Sequence, residues 1–111
     1  MFGNDAKKIE HLVAKQKADK LSQLATGKNM QTALAAIEGL GKVGGEVAVN
    51  TLVSLLHSPD AQVRLATAKA MGEMKDPHTR MHISHQMNIE QDAGVKQAMQ
   101  DALARIAPDI H

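Results

Sequence analysis

The chain repeats itself. Laying Gly41 on Gly72 brings Leu21, Leu24, Asn29, Ala35, Leu40 and Val43 onto Leu52, Leu55, Asp60, Ala66, Met71 and Met74. A further step, longer by a single position, turns Asp60-Ala61-Gln62-Val63 into Asp92-Ala93-Gly94-Val95, and Ala66, Ala70, Met71 and Met74 into Ala98, Ala102, Leu103 and Ile106. Leu52 and Leu56 reach Ile83 and Met87 at the shorter step, so the additional residue of the third copy falls between its two helices. Self-similarity at a fixed period is the signature of stacked supersecondary units. It assigns residues 17–46, 47–77 and 78–108 to three copies of one unit.

Each copy reads as a pair of helices. Ala48, Leu52, Leu55 and Leu56 keep the spacing of one apolar helical stripe, as do Val63, Ala66, Ala70, Met71 and Met74. Between them, Ser58-Pro59-Asp60 stops one helix and starts the next, because proline disfavours helical geometry in the preceding residue. Asp60 can accept hydrogen bonds from the first free amides, and Asn29 and Asp92 hold the same place in the other copies. Gly44-Gly45 and Asp76-Pro77 punctuate one copy from the next. No stretch alternates with period two, and aromatics amount to 1% of the chain, so a sheet is not expected. Ala35, Ala36, Ala66, Ala70, Ala98 and Ala102 let neighbouring helices approach closely, while Met71, Met74, Met87 and Met99 fill irregular core space.

Asp60-Ala61-Gln62-Val63-Arg64-Leu65-Ala66, followed by Ala70-Met71-Gly72-Glu73-Met74 and Asp76-Pro77, resembles the HEAT repeats, especially the short bacterial and archaeal HEAT-like type also found in phycobilisome lyases. The resemblance extends from repeat 1 to repeat 3. It implies an all-α, α-α superhelix: a short solenoid of three helical hairpins. The family's Val-Arg pair is complete only at Val63-Arg64, its counterparts being Thr32-Ala33 and Val95-Lys96, so the chain departs from the Arg-centred network that the family suggests.

Residues 4–16 precede the first unit. Asn4 or Asp5 can cap a helix whose apolar stripe is Ile9, Leu12 and Val13, with Lys7, Lys8, Glu10, His11 and Lys15 outward. This is the composition of a terminal cap with one wet face, which repeat stacks need for solubility. No Gly or Pro decides whether it breaks from the next helix near Gln16-Lys17. At the other end, Val47, Thr51 and Ser54 of the second copy become His78, His82 and His85 of the third. Those positions are expected to face the following unit in the second copy and solvent in the third. Spacings of four and three also allow a metal-site reading, although His78 and His85 would stand about 10 Å apart along the axis.

The outward stripe of the second helices reads Gln31, Leu34, Glu38, Lys42; then Gln62, Leu65, Lys69, Glu73; then Gly94, Gln97, Asp101, Arg105. Charge sign alternates along each helix and from copy to copy. Glu38, Lys69 and Asp101 form one rung, and Lys42, Glu73 and Arg105 the next, so each charge is expected to have opposite neighbours. A nucleic-acid groove needs a strip of one sign and often stacking aromatics. Here the formal net charge is only +1 and the single aromatic is Phe2. The basic residues near the start, Lys7, Lys8, Lys15, Lys17, Lys20 and Lys28, are interleaved with Asp5, Glu10 and Asp19.

Chemistry is scarce. With no cysteine there are no disulfides, thiolate metal sites or cysteine nucleophiles. No phosphate-binding glycine loop or nucleophile elbow occurs, and Ser22, Ser54, Ser58 and Ser84 are scattered without a base-and-orienter set. The expectation is therefore a non-catalytic, single-domain protein-interaction or scaffold module without a cofactor, monomeric or weakly homodimeric. Its partner is another protein, not specific nucleic acid or membrane, and the predicted binding residues are Gln31, Leu34, Glu38, Gln62, Leu65, Lys69, Gln97 and Asp101. Alternatives are a metal- or pH-responsive role through His78, His82 and His85, and lyase-like chaperoning of a chromophore protein. No apolar run reaches the roughly 18 residues of a membrane span, and Met1 to Val13 lacks the apolar core of an export signal, so a cytoplasmic address is expected.

Overall fold

The computed structural model describes residues 2–108, with side chains from residue 6 onward. Among these residues seven α-helices follow one another: α1 (Phe2–Ala14), α2 (Ala18–Ala25), α3 (Met30–Val43), α4 (Gly45–Leu55), α5 (Ala61–Met74), α6 (Arg80–Ile89) and α7 (Ala93–Arg105). A 3-10 turn, Pro77–Thr79, leads into α6. There is no strand among the described residues, and the chain is an all-α solenoid.

The start of each long helix follows from its capping residue. Asn29 accepts a hydrogen bond from the Thr32 amide at 3.0 Å, Asp60 from those of Gln62 and Val63 at 2.8 and 3.3 Å, and Asp92 from that of Val95 at 3.0 Å. Each exchange satisfies a helix-terminal N–H that has no partner within the helix. Gly44 ends α3 at φ +69°, in the left-handed region that glycine enters without a Cβ clash. Lys75, its counterpart one repeat later, also ends its helix at positive φ, +58°, but in the left-handed helical region, whereas Gly44 has an extended ψ.

Two rows result. The hairpins α2–α3, α4–α5 and α6–α7 set α3, α5 and α7 side by side, and α1 joins the same inner row by packing on α3. The shorter helices α2, α4 and α6 lie outside them. The slab measures 41 × 32 × 17 Å. Leu21, Leu52 and Ile83 recur at a constant step, one on each outer helix, and all three are fully buried. With Ile37, Leu40, Met71 and Met99 they form one continuous core, which no single hairpin could enclose.

Inner helices meet almost backbone to backbone. A Cβ placed on Gly41 would stand 2.8 Å from the Ala70 carbonyl oxygen and 3.0 Å from its Cα. The equivalent Gly72 faces Ala102, whose Cα would lie 3.2 Å away. Ala70 and Ala102 thus serve the close approach expected of the small residues. Ala35, Ala66 and Ala98 line an open groove, described below, to which Ala70 and Ala102 also contribute.

Three expectations change, and the open question of the first junction is answered. The first helix runs from Phe2, so Asn4 and Asp5 lie inside its first turn instead of capping it. The apolar stripe does not place the start to within a turn. The α1–α2 junction is broken, with Gln16 in the left-handed region at φ +55°. Thr51 hydrogen-bonds through its hydroxyl to Ser22 of α2, so its face looks back to the preceding hairpin, not forward to the next. Finally, His78 belongs to the 3-10 turn and not to α6, because Asp76 caps that turn and Pro77 occupies its first position.

Candidate functional site

The groove lies across the inner row. It encloses about 880 Å³ and is floored by Leu34, Ala35, Leu65, Ala66 and Ala98. Its rim is Glu38 and Lys42 on α3, Lys69 and Glu73 on α5, and Asp101 and Arg105 on α7, three charges of each sign and all exposed. A second hollow of about 330 Å³ between α1 and α3 shares Ala35, Glu38 and Lys42 with the first, and carries the depression on to Ala6, Ile9, Glu10 and Val13. The stacking that buries the core also lines these residues up. Positions 34, 38 and 42 share one helical face, and each later copy presents the same face in the same direction.

Of the sequence-predicted residues, Leu34, Glu38, Leu65, Lys69, Gln97 and Asp101 line the groove, whereas Gln31 and Gln62 are exposed outside its lining. Both lie a turn nearer the helix starts. Leu34 and Leu65 are half-buried and packed against the core, so they act as floor and not as projecting anchors. The expected lattice of charge pairs is mostly open. Among the described residues, the one rim ion pair within 4 Å joins Arg105 to Glu73 at 3.3 Å. Asp101 takes a hydrogen bond from Gln97 at 3.0 Å, and Glu38, Lys42 and Lys69 have no ion-pair partner within that distance among the described residues. Exposed charges in high-dielectric solvent gain too little from pairing to hold long side chains in place.

A second polar cluster ties the last two hairpins together, away from the groove. Arg64 donates from Nε and Nη2 to the two carboxylate oxygens of Glu90, each at 2.9 Å, and from Nη1 to the Ser58 carbonyl at 2.8 Å. The Glu90 side chain is 1% exposed. It also accepts from the Asp92 amide at 3.1 Å, while Gln86 reaches it at 3.4 Å and bonds His57 Nδ1 at 2.8 Å. Hydrogen bonding to Arg64 holds the Glu90 carboxyl below the usual carboxylate range, against the opposing effect of burial, and the same bond raises the Arg64 guanidinium. Arg64 belongs to Val63-Arg64, whose counterparts in the other copies are Thr32-Ala33 and Val95-Lys96. Sequence reasoning does not find Glu90, although it sits in the third inter-helix turn, where the repeat step lengthens.

The three histidines singled out by the repeat comparison stay apart from both sites. His78, His82 and His85 are exposed, and His78 Nδ1 pairs with Asp76 at 2.8 Å. No three His, Cys, Asp or Glu side chains among the described residues are placed to hold a metal ion together. Arg80 donates to the carbonyls of Leu103, at 2.7 Å, and Ile106, closing the C-terminal end of α7 where the helix dipole favours a cation. Met81 and Ile89 of α6 are exposed apolar residues that the repeat pattern does not single out.

Stacked antiparallel hairpins with a groove across their second helices define an α-helical repeat solenoid. A family model for HEAT repeats matches residues 18–104, and the chain belongs to the HEAT repeat family. No curated relative matches it. HEAT repeats generally serve as protein-interaction or scaffold modules. No helix among the described residues is long and apolar enough to cross a membrane.

Proposed function

We propose that the protein is a non-catalytic, cytoplasmic protein-binding module, an adapter or scaffold that seats a partner in the groove across α1, α3, α5 and α7. Its units are residues 17–46, 47–77 and 78–108, stacked behind the cap of residues 4–16. The observation that carries this reading is a continuous apolar floor beside exposed rim charges, of which Glu38, Lys42 and Lys69 have no ion-pair partner within 4 Å among the described residues. Such a surface can give a partner apolar contact area in the centre and orientation at the edge. Alternating signs without aromatics suit a protein better than a nucleic-acid backbone. The groove is open along its length, and a shallow face of this kind excludes too little water for the usual reaction chemistries. Gln31 and Gln62 would contribute only to a partner that overhangs the groove.

Lyase-like chaperoning of a chromophore protein is a narrower form of the same reading and would use the same floor. The metal-responsive reading has no observation on its side, since the described His side chains form no shared coordination set.

The test is affinity capture from the native cell with wild type and with a Glu38→Lys, Lys69→Glu, Asp101→Lys variant. All three side chains are exposed, so the variant is expected to fold. Loss of the partners captured by wild type supports the groove, and equal recovery by both proteins rejects it. A Leu34→Asp, Leu65→Asp variant is less suitable, because those side chains also pack on the core.

A further inference from the structure

The rim charges are related by a symmetry that matters only when two copies meet. Along the stack, one rung reads Glu38, Lys69, Asp101 and the other Lys42, Glu73, Arg105: minus, plus, minus against plus, minus, plus. The two charges on each helix stand about 6 Å apart along its axis. A half-turn about an axis lying in the face, along the stacking direction, exchanges the two rungs and leaves each helix opposite its own antiparallel counterpart. Glu38 then faces the second copy's Lys42, Lys69 faces its Glu73, and Asp101 faces its Arg105, each contact occurring twice as an isologous interface requires. The other in-plane half-turn that keeps all three helices overlapped, about an axis along α5, would set like charges against like on every rung. One orientation is therefore complementary at all six positions and the alternative repulsive.

From this the geometry points to a second copy of the chain as an occupant of the grooved face: a weak, antiparallel, face-to-face homodimer held mainly by its rims. Two observations support it. Glu38, Lys42 and Lys69 have no ion-pair partner within 4 Å among the described residues, so opposing charges need not displace existing bridges there. Arg105 and Glu73 are joined at 3.3 Å with both side chains about half exposed, a contact that solvent already weakens and that the dimer can extend. The inference goes beyond the partner-binding reading. A hetero-partner on the same face would compete with the second copy and release monomers.

Sedimentation equilibrium tests it on the intact chain at about 1 mM protein, first in about 20 mM salt and then in about 0.5 M, where screening reaches only a few ångströms. The expected result is a dimer dissociation constant of about 0.1–1 mM at low salt, weakened at least about tenfold at high salt. Lys69→Glu places Glu against Glu73 of the second copy twice and is expected to weaken the dimer at least about tenfold. Lys69→Glu with Glu73→Lys exchanges the two signs on α5, restores complementarity across the axis, and is expected to return to within about threefold of wild type. Circular dichroism verifies that both variants remain helical. A monomer at about 1 mM in low salt overturns the inference. So does a dimer that ignores these substitutions, since it must then use another face. Neither result bears on whether a different protein binds the groove, which the capture experiment decides separately.

Discussion

Arg64 and Glu90 clasp each other through two parallel hydrogen bonds of 2.9 Å, joining the start of α5 to the turn that follows α6. The pair ties the second hairpin to the third. Because the carboxylate is almost wholly buried, the contact differs in kind from the surface pairs on the groove rim.

Removing the cation leaves that carboxylate charged inside the protein. Breaking a buried pair from one side costs about 3–5 kcal/mol. Glu90 keeps its bonds from the Asp92 amide and Gln86, which places Arg64→Met at the lower end, about 3 kcal/mol. Urea denaturation is expected to show this loss, and Glu90→Gln on the Arg64→Met background to recover part of it. A difference under about 1 kcal/mol between Arg64→Met and wild type would contradict the role of the pair as a clamp.

The same pair has a pH signature. Glu90 titrates lower in the folded chain than its unfolded value near 4.3, so the folded state binds the proton less readily. Its stabilisation is complete above the unfolded value and drains away as pH falls through the folded one. Wild-type stability should therefore decline below about pH 4.3, and the gap between wild type and Arg64→Met should close over the same interval. Melting curves between about pH 3 and 7 measure both, and a constant gap would mean that Glu90 is not the group involved.

Gly41 and Gly72 make a graded pair. Alanine is the better helix former by about 1 kcal/mol, yet at Gly41 its Cβ would meet the Ala70 backbone at 2.8 Å. Separating α3 from α5 should outweigh the propensity gain, leaving Gly41→Ala about 1–2 kcal/mol less stable than wild type. At Gly72 the nearest atom is 3.2 Å away, and Gly72→Ala should be near neutral. Equal effects of the two substitutions in chemical denaturation would be inconsistent with this packing.

Lys75 lies in the left-handed helical region at the end of α5, a positive φ for which the preceding copy uses a glycine, Gly44. Relieving the Cβ clash with Lys75→Gly should raise stability by about 0.5–1 kcal/mol, after allowance for the greater freedom of glycine in the unfolded chain. Differential scanning calorimetry would register this as a melting temperature a few degrees higher, and a lower one would refute the assignment.

What is legible in the sequence follows from period. Leu21, Leu52 and Ile83 announce the core because burial repeats with the unit, and Asn29, Asp60 and Asp92 announce helix starts because capping is a local hydrogen-bond problem. The groove lining is legible for the same reason at Leu34, Leu65 and Gln97. Three features escape such a reading. His78 reads as part of α6 because a 3-10 turn and an α-turn share their opening residues. Thr51 reads as facing the wrong neighbour because a repeat period does not say which flank of a helix meets the previous copy. Glu90 carries no mark because its counterpart one unit earlier is Pro59, and a contact made by one copy alone leaves no periodic trace.

Mechanical consequences follow from the unequal spacing of the two rows. Where Gly41 rests on Ala70 and Gly72 on Ala102, the main chains touch and there is nothing left to compress. The outer helices are bridged by side chains, Ser22 to Thr51 and His57 to Gln86, whose rotamers can lengthen or shorten the span. Bending therefore pivots on the inner row, as pages turn about a spine. A load applied to the far side of the slab would widen or narrow the groove while the helices that form its floor stay in touch.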